Sequence, residues 1–337
     1  MYSITSNVTK VRRRRSTPSK FLSLDHWREQ LLHIDAGEAS FARRRFRWKD
    51  DQVRLRLEAI GATFLLGYNA AIDGRDLPVL VKQLNSIDGE VRGFAFEGAA
   101  MGLALLDGLA PWGRSRLPGF IAGPGASHVY MVHVGMGWAI ARLPWLRFNL
   151  KKYLQRLHPL FCWLTLDGYG FHEGYFKWPR YVENQQVPRR LSAYARRAFD
   201  QGLGRSLWFV EGADVERIHA AIGKFSPPRR ADLWSGIGLA CAYAGGASAN
   251  AIEAVQKAAA SHSPHLAQGA AFAAKARQLA GNPVNHTETA CRILAGLPAS
   301  QAAAITDEAL KDLPVDGRQP AYEVWRERIR TRLFAGN

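Results

Sequence analysis

Two stretches that read alike decide the fold: LPVLVKQLNSIDGEVRGFAFEGAAMGLAL from Leu77, and VERIHAAIGKFSPPRRADLWSGIGLACAY from Val215. In one gapless register Leu77 falls on Val215, Leu80 on Ile218, Leu84 on Ile222, Arg92 on Arg230 and Gly98 on Gly236. Both run apolar helix, short turn, arginine, small-residue helix. Apolar residues return every three or four positions, the period of a helix face. Gly and Ala inside the second helix let a neighbouring helix come close. A second pair, HVGMGWAIAR from His133 and HLAQGAAFAAKAR from His265, shares a His-xxx-Gly-x-Ala pattern. The first offset, 138 residues (215 minus 77), exceeds the roughly 20–50 residues of one solenoid repeat. The expectation is a duplication into two related helical halves; the competing reading is that Ala/Gly-rich helices resemble one another by composition alone.

Outward from these stretches the chain stays helical. Leu55–Ala71, Arg92–Leu106, His128–Leu143 (capped by Ser127 and ended by Pro144), Trp145–Leu157 and a series from Arg190 to Phe334 carry helical spacing. Alternating strand patterns are scarce. The predicted class is all-α, with a basic disordered tail over 1–20, an N-terminal half over 21–166, a Gly/aromatic-rich crossover over 167–189 and a C-terminal half over 190–337.

Composition fits a packed globular protein: 337 residues, 47% hydrophobic and 22% charged. The three cysteines, Cys162, Cys241 and Cys291, form no CxxC pair, which excludes a disulfide framework and an all-cysteine zinc site. No segment reaches the roughly 18 apolar residues of a spanning helix, and no apolar run follows the basic N-terminus. These features point to a cytoplasmic chain. The net charge of +16 raises the question of nucleic acid. The excess is scattered outside Arg12–Arg15 and Arg43–Lys49, and zinc-finger, RRM and KH signatures are absent. The reading is therefore against nucleic acid and for a solvated basic surface, an acidic partner or an anionic lipid surface.

Four residues are the candidate catalytic set. Asp167, His172 and Glu173 lie in DGYGFHEGYF, Asp167–Phe176, which breaks the helical pattern with three glycines and four aromatics. His172 is a potential base or metal ligand that Asp167 or Glu173 could orient. The competing reading is a structural crossover. Glu97 is the one acid inside an apolar helix; a buried carboxylate needs a partner or shifts its pKa. It is either a core ion pair or a pocket-lining acid. His128 and His133, five apart, lack the i, i+4 spacing of a zinc-binding pair and read as packing residues. No phosphate-binding or dinucleotide glycine motif, nucleophile elbow or DDxxD is present, and the sequence names no cofactor or metal.

The order of motifs is itself informative: FLLGYN at Phe64, EGAAMGLALLD at Glu97, HVYMVHVGMGWA at His128, DGYGFHEGYF at Asp167, FDQGLGRSLWFVEG at Phe199 and RADLWSGIGLACAYAGG at Arg230. Together they resemble an uncharacterised bacterial domain-of-unknown-function family associated with enediyne polyketide biosynthesis gene clusters, from about Phe41 to near the C-terminus. The resemblance transfers no reaction and no catalytic residue. It implies an accessory role in secondary metabolism, with an apolar polyketide intermediate, a membrane protein and a repeat-containing protein from the same loci as expected partners. An acid/base or metal-assisted tailoring enzyme, and a membrane-surface adaptor using the N-terminal Arg12–Arg15 run and the basic Trp145 helix at the inner membrane face, are the alternatives. A carrier requires an apolar cavity of about 300 Å³ or more; an enzyme requires His172 and Glu97 to converge on one cleft.

Overall fold

The computed structural model describes residues 31–74, 76–110, 115–314 and 317–334; the expected 1–20 tail lies outside them. Helical turns at Ala36–Ala39 and Phe41–Arg44 precede sixteen α-helices. These are α1 (Asp51–Ile72), α2 (Leu77–Asn85), α3 (Gly89–Leu109), α4 (Leu117–Ala122), α5 (Val129–Arg142), α6 (Pro144–Phe148), α7 (Leu150–Leu154) and α8 (Cys162–Phe176). They continue with α9 (Ala193–Val210), α10 (Val215–Gly223), α11 (Pro227–Ala244), α12 (Ala249–Ala259), α13 (Ser263–Leu279), α14 (Asn285–Leu294), α15 (Ala299–Leu310) and α16 (Ala321–Phe334). The described residues contain no β-strand, as the spacing predicts.

Seven long helices, α1, α3, α5, α8, α9, α11 and α13, pack side by side in chain order. Shorter helices or turns return the chain between them, so the long ones run parallel. The contacts show the shared direction: Gly98 meets the Phe64 carbonyl and Gly102 the Tyr68 carbonyl, each four residues on. The row curls into one turn of a spiral. Its ends are tied where the start of α3 meets the ends of α11 and α13. Arg277 donates to the Glu90 and Tyr243 carbonyls at 2.5 and 2.7 Å, and Asn282 donates to Gly89 at 2.5 Å. Arg56 of α1 donates to the Ala244 carbonyl at 2.8 Å.

The spacing of the long helices is set by a recurring Gly-x-Gly or Gly-x-Ala. Its first glycine is Gly98, Gly135, Gly168, Gly202, Gly236 and Gly269, at steps of 37, 33, 34, 34 and 33 residues. From Gly135 onward, each first glycine lies against the carbonyl of the residue just before the equivalent glycine on the preceding helix: Gly135 on Glu97, Gly168 on Val134, Gly202 on Asp167, Gly236 on Gln201 and Gly269 on Ser235. A Cβ at any of these would collide with that backbone. Interhelical contact this close is made of many small dispersion gains and tolerates no extra methyl.

These contacts do not confirm the two-halves duplication. The 138-residue offset is four steps of the shorter rhythm, and the second alignment, which pairs Gly137 with Gly269, is two residues out of the register in which Gly135 is the equivalent. A single apolar core runs from Ile34 to Leu333, with a smaller cluster beneath α2 and α4. The arginine match does have a physical basis. Arg92, Arg196 and Arg230, each six residues before the glycine, donate to the carbonyl five residues back at 3.0, 3.3 and 2.8 Å.

The expected irregular crossover over Asp167–Phe176 is corrected by the structure. Asp167–Phe176 is the middle and end of α8, buried on almost every side. Of its three glycines, Gly168 and Gly170 meet neighbouring backbone and Gly174 meets the Ser206 side chain; none is a turn residue. Trp145–Leu157 is two five-residue helices broken at Asn149 rather than one. Ser127 lies within a 3₁₀ turn and makes no cap bond to α5.

Candidate functional site

Curling six parallel helices around an axis leaves a cavity where their inward side chains fall short of meeting. It has a volume of about 40 Å³ and is lined from all six of α1, α3, α5, α8, α9 and α11. Its walls are aromatic: Phe64, Trp138, Phe171, Tyr175 and Phe209 surround it, with Trp138 at 4.2 Å from Phe64 and 5.2 Å from Phe171 between ring centres. A smaller cavity of about 30 Å³ lies further along the axis, against α13 and α16. Arg205, Leu239 and Tyr243 border both.

Polar groups reach the axis from one register position, the residue before the first glycine of each unit. That residue is Glu97 on α3, Val134 on α5, Asp167 on α8, Gln201 on α9, Ser235 on α11 and Gln268 on α13. Four consecutive members form a buried ladder. Gln201 donates to Asp167 at 2.8 Å, and the Ser235 hydroxyl sits 3.2 Å from the Gln201 oxygen and 3.1 Å from that of Gln268. With one proton, that hydroxyl donates to one oxygen at a time. Arg326 of α16 extends the ladder, donating to Gln268 at 3.1 Å, Glu323 at 3.0 Å and Asp232 at 2.8 Å.

Val134 interrupts this ladder, and Glu97 stands beyond the interruption, lining the cavity. Trp138 Nε1 donates to its Oε1 at 3.0 Å, and Arg205 Nη2 is 4.0 Å from the same oxygen. Its Oε2 accepts no hydrogen bond from the described residues. Arg205 is committed elsewhere: its Nη1 pairs directly with Asp167 and its guanidinium lies 4.9 Å over Phe171. Burial therefore outweighs the distant Arg205 and pushes the Glu97 carboxyl up to about 7. Tyr243, also on the cavity wall, is buried with a hydroxyl that has no partner, and burial raises its pKa. Arg92 does not reach Glu97; both its contacts are to Ile87.

Of the four predicted residues, then, Glu97 and Asp167 share one site through Arg205. His172 and Glu173 are not among the cavity-lining residues. His172 stands behind Trp138, ring centres 5.6 Å apart, and neither of its nitrogens has a hydrogen-bond partner. Its Nδ1 is 3.7 Å from Glu173 Oε1, and burial pushes its pKa below the ordinary histidine value. Glu173 pairs with Lys177 at 3.0 Å. Among the described residues no group of three or more His, Cys, Asp or Glu is placed to hold a metal ion. His128 stacks on Phe96 at 4.2 Å and His133 bonds the Val129 carbonyl at 2.8 Å, both packing roles as expected. Arg205, Trp138 and Tyr243 were not predicted. Their signal was available: they stand three, three and seven residues after the first glycine of their units.

Among the described residues, no helix is long and apolar enough to cross a membrane. No curated protein and no solved structure matches the chain. A family model described as "Protein of unknown function (DUF1702)" matches residues 23–333. That match spans nearly the whole chain and every element lining the axial cavity, so the protein belongs to this family of unknown function.

Proposed function

We propose that the protein is an accessory component of bacterial secondary metabolism, of the enediyne polyketide type, that takes the narrow end of an apolar, unsaturated intermediate into the axial cavity. The observation that carries this is the cavity itself, enclosed by aromatic faces from six helices and containing one weakly partnered carboxyl. A volume of about 40 Å³ is far below that of pockets enclosing a drug-sized ligand, roughly 300 Å³ and upward. The cavity therefore suits a slender conjugated terminus a few atoms long, and the remainder of the molecule would lie outside. Flat unsaturated carbon matches aromatic walls by offset stacking.

The second reading, a tailoring enzyme, is favoured by Glu97. A carboxyl half-protonated near neutral pH can lend or accept a proton where ligand carbon would sit. His172 and Glu173 would take no direct part in such chemistry, since neither lines the cavity and Trp138 stands between it and His172.

The test is genetic and chemical together. Deletion of the gene in its host should accumulate an intermediate seen by metabolite profiling. Wild type should restore the product, and Ala240→Leu, which fills the cavity wall, should not, while its thermal unfolding midpoint stays near that of wild type. Full restoration by a folded Ala240→Leu protein would overturn the proposal.

A further inference from the structure

Away from the axis, the segment between α5 and α8 carries a surface of a different kind. Between Asp107 and Asp167 the sequence contains no Asp or Glu. Within that acid-free stretch, α6 exposes Trp145 (43%) and Phe148 (61%). Arg142, Lys151, Lys152 and Arg156 are exposed within eight residues of them along the chain. Arg189 and Arg190, also exposed, join from the segment before α9, with the Arg190 guanidinium 4.5 Å over the Phe148 ring. Among the described residues none of these six cations forms an ion pair.

Two large aromatics held out in water are unfavourable unless something covers them. The surrounding positive charge, unrelieved by any acid in the same stretch, selects a negatively charged cover. Exposed Trp and Phe beside Lys and Arg is the chemistry of an interface helix: the rings enter the headgroup boundary and the cations meet lipid phosphates. Base readout would call for polar side chains aimed at base edges, whereas this surface offers apolar rings at its centre.

We infer that α6 and α7 dock the protein on an anionic bilayer surface, with Trp145 and Phe148 inserted and Arg142, Lys151, Lys152, Arg156, Arg189 and Arg190 on the headgroups. This goes beyond the axial-cavity reading and is independent of it. Docking would place the protein where an apolar intermediate accumulates, and no part of the cavity is used.

The experiment is co-flotation of the full chain with vesicles of phosphatidylcholine alone, or with about one third phosphatidylglycerol, at physiological salt. Wild type should float with the anionic vesicles only. The pair Trp145→Ser and Phe148→Ser should weaken this at least about tenfold. The pair Lys151→Glu and Lys152→Glu should weaken it more, since each cation near such a surface is worth roughly a fivefold change in partitioning. Unchanged thermal midpoints would show that both variants are folded. The inference is overturned if wild type binds neutral vesicles equally well. It is also overturned if both folded variants still float like wild type, which would place the attraction elsewhere, as in Arg12–Arg15. Wild type that ignores vesicles but binds duplex DNA or RNA through Lys151 and Lys152 would overturn it in favour of nucleic acid.

Discussion

Glu97 and Asp167 occupy the same position in their repeat units, yet the two arcs of the ring treat them differently. On the arc from α8 to α13 the register position is Asp, Gln, Ser, Gln, and each side chain finds a partner on a neighbouring long helix. On the arc from α1 to α5 it is Phe64, Glu97 and Val134, so the carboxyl has no neighbour at its own level. Asp167 receives Arg205 and Gln201 directly; Glu97 receives an indole N–H and a guanidinium at 4.0 Å. The same backbone geometry thus yields an ion-paired carboxyl on one side and a weakly partnered, titratable one on the other. What distinguishes them is the identity of the adjacent register residue.

The largest test of this contrast is Asp167→Ala. It strands the fully buried Arg205 charge and should cost about 4 kcal/mol in denaturant unfolding, as breaking a buried pair does. A cost below about 1 kcal/mol would show that the pair is not the anchor described. Glu97→Gln should behave oppositely. The folded-state pKa of Glu97 is raised from 4.5 to about 7, so the native state favours the protonated form. The associated stability is full below about pH 4.5 and is lost as pH rises through about 7. Between pH 4 and pH 8 the Gln variant should therefore gain about 3 kcal/mol relative to wild type. Parallel stability curves for the two proteins would contradict the assignment.

Smaller effects probe the spacing that creates both arcs. Gly202→Ala drives a methyl into the Asp167 carbonyl and should cost about 2 kcal/mol by overpacking. Gly223→Ala, at the end of α10 with nothing near the added methyl, should be neutral or gain about 0.5 kcal/mol from helix propensity. His172→Leu is also a small change, expected within about 1 kcal/mol of wild type because no hydrogen bond is lost.

The helical class was readable because α1, α3, α5 and α11 keep their apolar period. The segment Asp167–Phe176 was not, for a physical reason. Glycine, tyrosine and aspartate are weak helix formers, so three glycines among aromatics look like a break. Burial on both flanks overrides that preference, and Gly168 and Gly170 are the price of backbone-to-backbone contact with α5 and α9. The same Gly-x-Gly in α11, set among Leu, Ile and Ala, caused no difficulty. Glu97 was visible as an acid in an apolar run. Asp167 was visible only as a member of a chemically rich segment, and its partner Arg205 was hidden in LGRSL, where no single-helix pattern marks it. The 33–37-residue glycine rhythm would have placed all three on the axis.

The most direct test is a titration of the full chain with a non-ionisable conjugated tetraene alcohol, read by its fluorescence, across pH 5.5 to 8.5. Wild type should bind it saturably, with affinity falling as Glu97 ionises near pH 7; Glu97→Gln should bind it equally well at every pH. Binding that is absent from wild type, or that carries the same pH dependence in both proteins, would contradict the axial site.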